Sequence, residues 1–194
     1  MATYHGYITV PHSSYEVWKS STLGNSYDVD YFPPYAPFQC WDYCALLWRQ
    51  YGLTLITKAG GGGAIDCWRV SRYVNARTPF ISLTGASGIK KGDILVFKPY
   101  SGWVGVNGHI GLAATDYSGR NVSQNLIKVL GQNQAGSSKV NIVEYPLAAL
   151  EGYFRNTYWT QSPTPEPTPT PSDTSKRDKF PWAVAWRHWP NFKR

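Results

Sequence analysis

The chain has 194 residues, enough for one domain with a full core and a small appendage. Apolar residues make up 42 % and aromatic ones 15 %, yet no apolar run reaches the ~18 residues of a spanning segment, which excludes a transmembrane helix. The net charge of +7 divides unevenly, with +4 on residues 1–160, −2 on 161–174 and +5 on 175–194. The basic end predicts an anionic polymer or surface as partner. Without a helix-turn-helix, zinc-finger or RNA-binding signature, nucleic acid is not that partner. Three cysteines cannot close a disulfide framework, so at least one thiol is free.

Ser13-Ser14-Tyr15-Glu16 has capping-box spacing ahead of Val17 and Trp18, which predicts a helix over about 14–21. A loop rich in Gly, Asn, Asp and Pro follows over 24–38. The next helix is expected from Gln39 to Tyr51, stopped by Gly52. Its apolar positions Cys40, Cys44, Leu47, Trp48 and Tyr51 fall on one face. Glycines 60–63 make a flexible loop before a third helix, Ala64 to about Tyr73, which carries Asp66 and Cys67. Beyond residue 80 the signals change to strands: Ile94–Phe97, His109–Asp116, Leu126–Leu130, Val140–Tyr145 and Tyr153–Tyr158. Helices first and antiparallel strands afterwards predict an α+β domain over residues 1–160. The alternating prolines of 161–174 read as an extended linker. Residues 175–194, basic and aromatic, are too short to fold alone and read as a docking peptide, an arm or a truncated wall-binding module.

The chemistry concentrates on Cys40. In the first turn of a helix, its thiolate gains from unpaired N–H groups and the positive end of the helix dipole. The Cys40 N–H, with the Gln39 side chain, is placed to stabilise an oxyanion. His109, flanked by Gly108 and Gly111, is the histidine of the strand-rich half. Asn133, at a strand end, is suited to fix the imidazole tautomer. Cys44 and Cys67 read as core cysteines, or as a pair if their helices approach. Asp28, Asp30 and Asp42 bring three carboxylates close to the nucleophile, a donor set for Ca2+; the alternative reading makes them turn and helix-dipole residues.

Gln-Cys-Trp-Asp (39–42), Gly-Asp-Ile-Leu-Val-Phe (92–97), Gly-His-Ile-Gly (108–111) and Gly-Gln-Asn-Gln (131–134) follow one another in order. The set resembles the CHAP family, the cysteine, histidine-dependent amidohydrolases/peptidases of phage endolysins and bacterial autolysins, over roughly residues 12–160. The resemblance implies a papain-like α+β fold with N-terminal helices packed on an antiparallel sheet. It also implies amide hydrolysis in peptidoglycan, by an N-acetylmuramoyl-L-alanine amidase or an endopeptidase. Carried over by position, Cys40 is the nucleophile, His109 the general base and acid, and Asn133 the orienting residue. Some members carry Glu two positions before that Asn; Gly131 stands here, which favours a Cys-His-Asn set. Some place calcium in an Asp-x-Asp loop ahead of the cysteine, as Asp28-Val29-Asp30 would.

The first residues, Met-Ala-Thr-Tyr-His-Gly-Tyr-Ile, have neither a charged nor an apolar leader region. The expectation is therefore an endolysin kept in the host bacterial cytoplasm until a holin releases it to a Gram-positive wall. The tail would then meet teichoic-acid phosphates or the anionic membrane. Two other readings stay open: a non-catalytic wall-binding protein on the same fold, and an autolysin or bacteriocin-like lysin with a membrane-active tail.

Overall fold

A computed structural model describes residues 2–30, 38–55, 62–74, 80–117 and 125–160. The expected linker (161–174) and tail (175–194) lie outside these residues, as do positions 60 and 61 of the glycine run.

The N-terminal part holds β1 (Thr3–His5), α1 (Tyr15–Thr22), β2 (Ser26–Asp28), α2 (Cys40–Gln50) and α3 (Ala64–Val74). Ser14 caps α1, its hydroxyl accepting the Val17 N–H at 3.2 Å, one residue later than the Ser13-to-Glu16 spacing placed the cap. Gln39 is the N-cap of α2, and Asp42 in the first turn accepts the Gln39 N–H at 2.6 Å. At the other end Gly52 takes φ +70, a conformation that favours glycine. Its N–H bonds Arg49 O (2.9 Å) while the Leu53 N–H bonds Trp48 O (3.1 Å), closing the helix in a Schellman motif.

The strands β3 (Phe80–Leu83), β4 (Ile94–Phe97), β5 (His109–Ala113), β6 (Leu126–Gly131), β7 (Asn141–Pro146) and β8 (Leu150–Asn156) form one six-stranded sheet. Its order is β3-β8-β4-β5-β6-β7, with every neighbour antiparallel. The short β1 and β2 pair in parallel as a separate ribbon. The expected α+β class holds.

Three expectations need correction. The last strand begins at Leu150 and ends at Asn156, because the Asn156 side chain accepts the Tyr158 N–H (3.1 Å) and starts the short helix α4 (Thr157–Thr160). β5 stops at Ala113, before the bends that precede Asp116. β1, β2 and β3 add strands where none was expected.

The central strands β4 and β5 are buried on both faces. On one face α2 and α3 pack with Ile94, Val96, Ile110, Leu112, Leu130 and Phe154. On the other, Leu95, Phe97, Val129, Tyr145 and Tyr153 form a second cluster with the segments that cover them. Strand β4 is therefore an unbroken apolar run. Helix α2 buries more than its expected stripe: Tyr43, Ala45 and Leu46 are inside as well. Trp18 of α1 packs on Tyr43 (5.6 Å), so this central helix is covered from more than the sheet side. Among the described residues no helix is long and apolar enough to cross a membrane.

Candidate active site

Helix α2 packs against β5, which brings the start of the helix to the start of the strand. Cys40, the first residue of α2, is 9 % exposed. The backbone N–H groups of Ile110 on β5, of Trp41 and of Cys40 itself favour its thiolate electrostatically. Burial pushes the thiol up to about 11; the three N–H groups pull it down, and the Asp42 charge adds to the rise. All three cysteines are free and buried, so Cys44 and Cys67 do not pair.

His109 opens β5, one residue before that Ile110 N–H. The ring is buried, stacked on Tyr145 of β7 (4.8 Å, 14° between planes) and tilted against Phe97, its register partner on β4 (6.5 Å). Its Nε2 bonds Gln134 Oε1 at 2.9 Å. Burial pulls the imidazole down to about 4, with the Gln134 bond acting the other way. Between pH 4 and 6.5 an unfolded chain would hold a proton on this histidine that the folded chain does not. Its contribution is thus a loss of stability as pH falls through that window. In His109→Gln, the acid slope of the melting temperature between pH 4 and 6.5 is expected to flatten, as read by calorimetry. An unaltered slope would show that the ring is not buried neutral.

The structure does not bring Asn133 to the histidine. Gln132 and Gln134 are buried, while Asn133 between them is exposed at φ +55. β6 ends at Gly131, and the chain turns through Asn133 in the left-handed region, which leaves both glutamines inside and Asn133 outside. Gln132 holds the front of the site together. Its Oε1 accepts the Tyr27 N–H (2.7 Å), and its Nε2 donates to Tyr27 O (2.7 Å) and Gln39 O (3.1 Å). The turn is therefore bonded to the residue that immediately precedes Cys40. Both glutamines were in the motif 131–134; what separates them from Asn133 is the conformation of the turn, which the residue types there do not announce.

Gln39 is half-buried at the N-cap, its N–H bonded to Asp42 and its carbonyl to Gln132. Asp42 also accepts the Val29 N–H (3.0 Å). Burial pushes the Asp42 carboxyl up to about 7, against those two N–H bonds and with added repulsion from Asp30 and Asp28. The expected three carboxylates do meet: an oxygen from each of Asp28, Asp30 and Asp42 lies within 4.8 Å of the others. Asp30 is also pushed upward, by burial first and then by Asp28. At the edge of the cluster, His5 Nδ1 lies 3.2 Å from Asp28 Oδ2.

No protein-family model matches the chain, and no curated protein matches it significantly. Among solved structures, the crystal structure of the wild-type endolysin LysIME-EF1 aligns with a TM-score of 0.54 at 21 % identity, over 77 % of this chain and 66 % of that one. The two share a fold. The crystal structure of Ly7917 aligns at a TM-score of 0.45 and 15 % identity, over 70 % of this chain and 56 % of that one. The chain therefore spans just under two thirds of LysIME-EF1 and just over half of Ly7917. On the fold shared with LysIME-EF1, Cys40 and His109 stand where α2 meets β5.

Proposed function

We propose that this chain is a peptidoglycan hydrolase of the endolysin kind, cutting an amide bond with Cys40 as nucleophile and His109 as general base and acid. The observation that carries this reading is a buried thiol at the start of α2 together with a buried imidazole at the start of β5, the strand that α2 packs against. The fold shared with LysIME-EF1 supports it. In the proposed cycle, His109 takes the thiol proton as the sulfur attacks the amide carbon. The Cys40 N–H, with Gln39 beside it, faces the developing oxyanion. The C–N bond breaks as His109 returns the proton to the leaving amine, and water then releases the thioester.

The test is mass spectrometry of fragments released from purified Gram-positive walls. New amino termini on L-Ala identify an amidase, and termini on Gly or D-Ala an endopeptidase; no new amino terminus overturns the reading. Residues 175–194 are proposed to hold the enzyme at the wall through their basic and aromatic side chains, with teichoic-acid phosphates as ligand.

We further propose that Asp28, Asp30 and Asp42 hold Ca2+. The donors are all oxygens, they converge, and their crowding calls for a proton or a cation between them. Bound there, the ion would fasten the end of β2 to the first turn of α2 and set the position of Cys40. EDTA is expected to lower the melting temperature and slow wall lysis, with both restored by added CaCl2. An unchanged melting temperature together with full lysis in EDTA would eliminate the ion.

A further inference from the structure

We infer that Gln134 is the positioning residue for His109, reaching into a space that Gly131 leaves open and fixing which ring nitrogen is bare. This inference rests on the proposed thiol chemistry but is carried by a separate set of contacts.

The orientation of the Gln134 amide is determined by its surroundings. Its nitrogen lies 3.1 Å from Val129 O and 2.9 Å from Asn141 O, two carbonyls that require a donor. The amide oxygen must then be the atom 2.9 Å from His109 Nε2. An oxygen there only accepts, so Nε2 carries the proton. In the neutral ring Nδ1 is consequently the basic nitrogen, the one free to take a proton from a thiol.

The space for this amide comes from the residue at the end of β6. A Cβ at Gly131 would stand 3.0 Å from Gln134 Oε1 and 3.5 Å from His109 Nε2. A side chain there would occupy the place where the Gln134 carbonyl meets the ring. With glycine at 131, a long side chain from three residues downstream comes in instead. An amide suits the place better than a carboxylate of the same shape, because one end faces two carbonyls and the other a ring N–H. The Tyr145 ring stacked on His109 keeps this bond out of water.

The test uses 15N-histidine-labelled full-length protein, with the His109 signals assigned through His109→Gln. The wild type is expected to show a protonated Nε2 and a bare Nδ1 at pH 7. Gln134→Met keeps the side-chain length and removes both amide atoms. It is expected to shift His109 toward a mixture of tautomers and to lower kcat on purified walls about 10- to 100-fold, with KM within about twofold. Should Gln134→Met fail to fold, Gly131→Ala keeps the amide but crowds its oxygen. It is expected to shift the Nε2 resonance and to lower kcat by a smaller factor. A wild-type ring protonated at Nδ1, a tautomer unmoved in Gln134→Met, or an Nε2 resonance unmoved in Gly131→Ala would overturn the inference. The tautomer is read without any substrate. Failure of the walls to yield new amino termini would therefore count against the proposed function and leave the assignment of Gln134 standing.

Discussion

Cys40→Ala is expected to reduce the release of amino termini from purified walls by about 10,000-fold or more, with the fold intact. The magnitude follows from removing a nucleophile that the rest of the site serves: without sulfur there is no thioester, and the base and the helix-start N–H groups have nothing to act on. The fold should survive because the side chain is small and lies at the first position of α2, where the capping contacts come from Gln39 and Asp42 rather than from the thiol. Wall turbidity and fragment mass spectrometry measure the activity, and far-UV circular dichroism with a melting curve measures the fold. Retained lysis by a folded Cys40→Ala protein would refute the thiol mechanism. Loss of lysis with a native melting curve would also eliminate the reading of this chain as a passive wall-binding protein.

The largest loss of stability is expected from Trp48→Ala, at about 3–5 kcal/mol. Trp48 is fully buried on α2 between two elements that are far apart in sequence. Its ring stacks on Phe80 of β3 at 4.6 Å and 2°, and meets Phe154 of β8 edge-on at 5.3 Å. Truncation forfeits the apolar burial and leaves a cavity bounded by two rigid rings, which limits how far the site can collapse. In a domain of this size the melting temperature should fall by roughly 10 °C or more. Calorimetry gives the answer directly, and a drop of only a degree or two would show that α2 is not fastened to the sheet through this residue. Activity is expected to fail at a lower temperature for the same reason, since α2 carries Cys40.

The sequence disclosed the site in outline because its strongest signals are local. Gln39 to Gly52 contains a capping pair, an apolar stripe and a glycine stop, so the helix presenting Cys40 was legible from those residues alone. The acidic cluster was legible too, since the three carboxylates fall close to the helix start. What was hidden depends on backbone direction beyond a strand end. Asn133 and Gln134 are adjacent, and only the conformation of the turn decides which of them faces the ring. The ribbon of β1 and β2 was hidden for another reason: three-residue strands carry too little alternation to announce themselves.

The turn that leaves β6 has a consequence for how this chain can change. Within three consecutive positions it bonds the carbonyl ahead of Cys40, through Gln132, and the ring of His109, through Gln134. Cys40 and His109 are thus referenced to one short stretch of chain. Inserting or deleting a single residue there would change which side chains the turn leaves inside and release both partners at once. Drift in length is far better tolerated elsewhere, and lineages descended from this chain should vary in their outer loops while holding this stretch at constant length.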